Sequence, residues 1–166
     1  MSSYELAQLN IGIIRGPMDS PVMAEFAANL ERINALADGA PGFVWRLQTQ
    51  AGDATAIRPF ENENQLLNMS VWRDLESLRQ FVYRSAHVEF LRRRREWFEL
   101  MREAYLVLWW VPRGHRPDIA EATRKLEALR SAGPHPEAFT FRQTYPPPDA
   151  PATERPRAFG DECPAT

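Results

Sequence analysis

Three observations predict an α+β sandwich of the ferredoxin-like, split βαβ kind. Strand-period and helix-period segments follow the order β-α-β, β-α-α-β, then α and a short β. The second and third strands have no helix between them, which asks for a hairpin rather than a parallel crossover. The length of 166 residues, with 44% hydrophobic and 25% charged side chains, is that of one globular domain able to bury its own core.

Tyr4 to Ile13 alternates as a strand, with Leu6, Gln8, Asn10 and Gly12 on one face and Ala7, Leu9, Ile11 and Ile13 on the other. Gly16-Pro17 marks a turn. A helix starts near Ser20, with Pro21 at a tolerated first position; Met23, Phe26, Leu30, Ile33 and Leu36 form its apolar stripe, and Gly39 stops it. Gly42 to Gln48 is the second strand. Thr49 to Gln65 has no period and reads as a long covering loop with a short extended piece at Thr55–Arg58. Leu66 to Trp72 is the third strand, with Leu66, Asn68, Ser70 and Trp72 on one face.

Asp74 caps the next helix, through Leu75, Leu78 and Val82. A break near Tyr83–Ser85 lets Ser85 cap a second helix from Ala86 to about Arg102. Tyr105 to Val111 is apolar on both faces, as a central strand is. Asp118 and Glu121 form an acidic capping box for an extra C-terminal helix lined by Ile119, Ala122, Leu126 and Leu129. Ala138 to Arg142 is a short fifth strand. Residues 1–142 are thus the domain, and the Pro-rich residues 143–166 read as a disordered tail. Helices on one sheet face leave the other apolar, through Leu9, Ile11, Leu67, Met69 and Val71, and packing two such faces into a homodimer would cover it.

Composition removes several classes of function. The net charge of −2 gives no nucleic-acid or anionic-membrane footprint. The longest apolar run, Tyr105 to Pro112, is too short to span a bilayer, and the N-terminus lacks a secretory pattern, so the reading is a cytoplasmic protein. Cys163 is the only cysteine, which leaves no intramolecular disulfide and no cysteine zinc cluster. No His, Asp and Glu spacing suits a metal, and no phosphate-loop, dinucleotide or G-x-S-x-G pattern occurs.

The candidate site is a set of polar residues on apolar faces. His87, Leu91, Arg94 and Phe98 share one helix face, with His87 at the helix start, where the dipole favours a neutral imidazole able to act as a base. The alternative is a satisfied core histidine. Arg94 needs an acceptor on that face, either an internal carboxylate or an anionic ligand. Its neighbours Arg92, Arg93 and Arg95 pair with Glu89, Glu96 and Glu99 as a solvated face. Asn10 and Asn68 lie on strand faces that can line one cavity, as structural glue or as substrate hooks. Trp72 and Trp110 are core residues or aromatic platforms, and Tyr83 lies near the cavity mouth. His115 and His135 sit in Pro- and Gly-flanked loops facing solvent.

At Ser70-Val71-Trp72-Arg73-Asp74-Leu75-Glu76-Ser77-Leu78 the chain resembles the dimeric α/β-barrel superfamily, of the antibiotic-biosynthesis monooxygenase type. Pro41-Gly42-Phe43-Val44-Trp45-Arg46, Phe81-Val82-Tyr83-Arg84-Ser85-Ala86-His87, Arg94-Arg95-Glu96-Trp97-Phe98 and Leu108-Trp109-Trp110-Val111-Pro112 resemble a family of unknown function within it. The resemblance covers about residues 4 to 142. It implies a homodimer and a small-molecule pocket between sheet and helices. In the cofactor-independent members an Asn and a Trp four residues apart on a strand bind substrate; Asn68 and Trp72 match that spacing, about 13 Å along one face. An arginine on the following helical segment contributes there, and Arg94 is the candidate, with Arg92 the other choice.

The reaction so implied is cofactor-independent oxygenation of an aromatic or polyketide-like substrate. His87 would remove a proton, and Asn68, Trp72 and Arg94 would hold the oxyanion. The alternatives are a non-oxidative cyclase, isomerase or decarboxylase, and a binding module for haem or another hydrophobic ligand. Asn10 fits the first-strand Asn of haem-degrading members. Phe81 stands where those have a helical Trp, however, and their His position falls near Leu91, four residues after His87.

Overall fold

The computed structural model describes residues 2–48 and 64–151. The covering loop with its extended piece at residues 55–58 lies almost wholly outside the described residues, as do Met1 and residues 152–166. The elements are β1 (Tyr4–Ile13), a 3-10 turn (Pro21–Met23), α1 (Ala24–Asp38), β2 (Phe43–Arg46), β3 (Gln65–Trp72), α2 (Leu75–Arg84), α3 (His87–Arg92), α4 (Arg94–Trp97), β4 (Leu106–Pro112) and α5 (Ile119–Ala132). Asp74 and Asp118 cap α2 and α5 by accepting from the backbone N–H groups of Ser77 and Glu121, both at 2.7 Å. No helix among the described residues is long and apolar enough to cross a membrane.

The protein is α+β, with a four-stranded antiparallel sheet in the order β2-β3-β1-β4. Pairing of Leu6 with Trp72, Gln8 with Ser70 and Asn10 with Asn68 fixes the β1–β3 register. Because side chains alternate, one face carries Leu6, Gln8, Asn10 and Gly12 beside Trp72, Ser70, Asn68 and Leu66, and the other carries Ala7, Leu9, Ile11, Val71, Met69 and Leu67. The first face holds two apolar clusters. Leu6, Trp72, Leu78, Leu108, Phe139 and Phe141 pack at one end, and Ile14, Met23, Leu66 and Trp97 at the other. The polar residues of β1 and β3 lie between them.

The second face is covered within the chain. Ala122, Leu126 and Leu129 of α5 join Leu9, Ile11, Met69, Val71, Val107 and Trp109 in one buried cluster. The argument for a homodimer from a bare apolar face therefore loses its premise, because that face is already buried within the chain, with the extra helix supplying part of the cover. The chain after Arg142 also differs from the expected tail. Thr144 is buried, Trp110 Nε1 donates to the Tyr145 carbonyl at 2.9 Å, and Asp149 accepts from Ser2 Oγ at 2.8 Å and the Ser3 N–H at 2.6 Å. Proline-rich chain docks here because Tyr145 and Asp149 find partners on the domain. The fifth strand reduces to two bridges, Leu108–Phe139 and His135–Ala138.

The helix expected from Ala86 to Arg102 breaks at Arg93 into α3 and α4, and Phe98 is extended. A continuous helix would not serve both Trp97 and Phe98. The break buries Trp97 beside Phe26 and Phe90, and turns Phe98 onto the end of β1, where it bridges Ile14. Arg15 N–H to the Trp97 carbonyl and Glu99 N–H to the Ile13 carbonyl, both 2.8 Å, fasten this segment. Gly12 makes the approach possible, since a Cβ there would stand 2.6 Å from Phe98 Cε1 and 3.2 Å from Arg94 Nη2. Gly12→Ala should therefore cost about 1–3 kcal/mol by overpacking. Urea unfolding measures this, and an unchanged midpoint would mean that Phe98 has another place to go.

Candidate functional site

The floor of the site is the polar middle of the sheet. Asn10 and Asn68 oppose each other across β1 and β3, close enough for their side chains to act on one ligand. Gln8 Nε2 donates to Asn68 Oδ1 at 2.6 Å and to Ser70 Oγ at 2.9 Å. Ser70 Oγ also accepts from Trp72 Nε1 at 2.9 Å. Gln8, Ser70 and Trp72 are buried, whereas Asn68 is exposed and Asn10 half-buried.

Arg94 stands over the open end of this floor. Its guanidinium carbon lies 4.6 Å from the Phe98 ring centroid and 4.7 Å from that of Tyr105, which is cation–π distance on two rings. Nη2 donates to the Ile11 carbonyl at 3.1 Å. Arg94 makes no ion pair among the described residues. Burial holds its pKa below the ordinary arginine value, with the nearby Tyr105 acting weakly the other way, and it stays protonated at neutral pH. Arg93 next to it takes the carboxylates instead, Glu25 at 2.5 Å and Glu96 at 2.7 Å.

The walls come from α1 and β2. Phe26, Leu30 and Asn34 repeat at helical spacing along α1. Arg46, tied to Asp38 by its Nε at 2.7 Å and its Nη2 at 3.3 Å, closes the side beside Leu47. Together with Asn10, Gly12, Asn68, Arg94 and Phe98 they bound an open recess with a cavity volume of about 100 Å3. This arrangement can hold a molecule with an apolar body and one anionic or strongly accepting group.

Of the residues singled out from sequence, Asn10, Asn68 and Arg94 line this recess; His87, Trp72, Tyr83 and Trp110 do not. His87 sits at the start of α3, where its backbone N–H donates to Ser85 Oγ at 3.1 Å. Its ring packs on Phe81 with centroids 5.0 Å apart, and Nδ1 is 3.5 Å from the Val82 carbonyl. Burial pushes its pKa down, against a smaller opposing effect of that carbonyl. Trp72 is a core residue between Phe43 and Phe81. Tyr83 packs edge-on to Phe141, and Trp110 holds the segment at Tyr145. Of the two loop histidines, His115 Nε2 lies 2.6 Å from Glu121 Oε2, and His135 Nδ1 lies 2.8 Å from the Gly133 carbonyl.

Sequence reasoning missed Gln8, Asn34 and Arg46. Gln8 shares the strand face of Asn10, and Asn34 continues the Phe26–Leu30 stripe, so both carried a signal in their spacing. Arg46 carried none, because the second strand is short and its outward face reads as solvent. Among the described residues, those lining the recess include no His, Cys, Met or Tyr, and so do not fit a haem, which needs such an axial ligand. No group of three His, Cys, Asp or Glu among the described residues is placed to hold a metal.

Residues 5–155 match the sequence profile of a family described as a domain of unknown function, DUF3291. The chain belongs to that family. No curated protein matches this DUF3291 chain. Among solved structures it is similar to SnoaB, a cofactor-independent oxygenase from Streptomyces nogalater, at 20% identity and a TM-score of 0.47 over 69% of this chain and 98% of that one. A point mutant of SnoaB gives 17% and 0.46 over 70% and 100%. NE2512, a protein of unknown function from Nitrosomonas europaea, gives 9% and 0.44 over 70% and 95%. Likeness at this level assigns no residue a role.

The buried imidazole has a consequence for stability. The folded chain binds the His87 proton less readily than the unfolded chain, so unfolding takes up protons as the pH falls through about 6.5, and stability drops. Glu25 and Glu96, whose carboxyls Arg93 holds below the usual range through hydrogen bonds, act only in more acid solution. Melting temperatures should therefore decline between pH 7.5 and 5.5, and His87→Phe should flatten that decline. An unchanged slope in the variant would show that His87 is not its source.

Proposed function

We propose that this DUF3291 chain is a small-molecule protein whose recess takes an apolar compound with one acidic oxygen, held as its anion. The observation that carries this is Arg94, a largely desolvated guanidinium with no ion-pair partner among the described residues, facing a recess lined by carboxamides. Burying such a charge is costly without a counterion. A bound oxyanion supplies one, and by the same attraction the pKa of a phenol or enol falls when it binds. Phe26, Leu30, Leu66 and Phe98 accept the apolar body.

The reaction that suits such an anion is cofactor-independent oxygenation of an aromatic or polyketide-like substrate. The enolate gives one electron to dioxygen, and the two radicals join in a C–O bond. Protonation yields a hydroperoxide, which loses water to leave a carbonyl at the oxidised carbon. Arg94, Asn68 and Asn10 act here by stabilising the enolate oxygen. Among the described residues no His, Asp or Glu lines the recess, which therefore shows no base of its own there. The substrate must then be acidic enough to ionise under the influence of Arg94. That same absence favours a second reading, ligand binding without turnover. The strand order β2-β3-β1-β4 with antiparallel neighbours supports the split βαβ reading of the fold.

Salicylate and its neutral analogue salicyl alcohol test the binding claim by calorimetry. Salicylate should bind more tightly, and Arg94→Ala should weaken it by about tenfold or more while affecting salicyl alcohol little. Arg94→Lys should restore only part of the loss, because an ammonium keeps the charge without the planar fork. Equal binding of the two compounds would sink the anion reading. Oxygen uptake with a panel of phenols and 1,3-dicarbonyls separates oxygenation from binding alone.

A further inference from the structure

We propose that Gln8 is the positioning residue of the recess, holding the Asn68 carboxamide with its carbonyl oxygen turned inward and its NH2 group presented to the ligand. The claim starts from Trp72. Its indole N–H can only donate, it is buried against Phe81 and Phe43, and it donates to Ser70 Oγ. Gln8, itself buried, spends both protons of its amide nitrogen, one on Ser70 Oγ and one on Asn68 Oδ1. Asn68 is exposed at the floor of the recess and makes no other hydrogen bond among the described residues.

An isolated exposed carboxamide has a nearly two-fold side-chain torsion and offers oxygen and nitrogen about equally. Oxygen toward an anion is repulsive, and nitrogen is attractive. Fixing the oxygen on Gln8 settles that choice before the ligand arrives, which is the preorganisation on which oxyanion stabilisation depends. The ligand consequence rests on the anion reading above; the orientation of Asn68 does not. The recess then asks for two acceptors on its ligand, an anionic oxygen for Arg94 and a second oxygen for the Asn68 NH2 group, as in a 2-hydroxycarbonyl or a 1,3-dicarbonyl enolate.

Proton exchange in 15N spectra of the full chain tests the orientation without a ligand, with the side-chain signals assigned by their loss in Gln8→Met and Asn68→Ala. The Gln8 carboxamide protons should exchange slowly and those of Asn68 fast. The reverse would mean that the Ser70 hydroxyl and the Asn68 NH2 group both donate to the Gln8 oxygen, and would overturn the proposal. Gln8→Glu then tests the function. A carboxylate there can only accept, so it should draw the Asn68 NH2 group inward and weaken salicylate by roughly tenfold. In an Asn68→Ala background the same change should leave only the smaller long-range repulsion. Equal losses in both backgrounds overturn the positioning role. Should Gln8→Glu fail to fold, Gln8→Met replaces it, with a smaller loss of salicylate binding expected only when Asn68 is present. If wild type does not bind salicylate at all, the anion reading fails, while the exchange measurement still decides the orientation of Asn68.

Discussion

The register of β1 against β3 sets most of what this protein can do. Gln8 meets Ser70, and Asn10 meets Asn68, so polar side chains from two strands collect on one stretch of one face. A slip of one residue would send that set to the face buried under α5 and bring Leu9 and Met69 out in its place. Every buried polar atom would then lack a partner in an apolar cluster, at a cost of about 1–3 kcal/mol for each. Hydrophobic burial on the far face and polar pairing on the near face therefore enforce the same alignment. The polar residues of the recess are in that sense a product of the core.

Packing at the far end of β1 works with this register. Gly12 leaves a gap in the side-chain layer, Phe98 fills it, and the guanidinium of Arg94 lies on Phe98 while bonding the Ile11 carbonyl. Ile11 also receives the Tyr105 carbonyl on its N–H at 2.9 Å. Arg94 thus stands where a backbone donor would otherwise pair with β1. A lysine could not span this geometry with a planar face on two rings. Among the described residues the Ile11 carbonyl is the acceptor of one guanidinium N–H and the others have none, so the side chain that holds the sheet end is also the one proposed to bind the ligand.

The order of elements was legible in sequence because alternation and helical stripes are strong where one face is buried, as in Tyr4–Ile13 and along Phe26, Leu30 and Ile33. The caps at Asp74 and Asp118 were legible for the same local reason. The site was readable only in part. Asn10 and Asn68 show themselves as polar residues on otherwise apolar strand faces. The break at Arg93 does not, since Arg94 to Arg102 contains no Gly or Pro and its helical period continues on paper. Tertiary demand from Trp97 and Phe98 overrides that propensity, and with the helix broken His87 and Arg94 no longer share a face. The expected base and the expected anion binder part company at that point.

The extra C-terminal helix bears on how such a sheet is finished. A four-stranded sheet with helices on one side has an apolar face to cover, and either a second copy or a further element can cover it. Here Leu126 and Leu129 join Met69, Val107 and Trp109 in one buried cluster, and α5 is fixed from outside as well. Trp109 Nε1 donates to Glu121 Oε1 at 3.0 Å, and Arg130 Nε donates to the Ala104 carbonyl at 2.9 Å. Glu121 accepts from the buried indole with one oxygen and meets His115 with the other, so even the polar edge of this contact is satisfied within the chain. A second copy, where one binds, finds no bare sheet face here to cover. Whatever holds two copies together must therefore draw on surfaces other than the one that the element pattern alone points to.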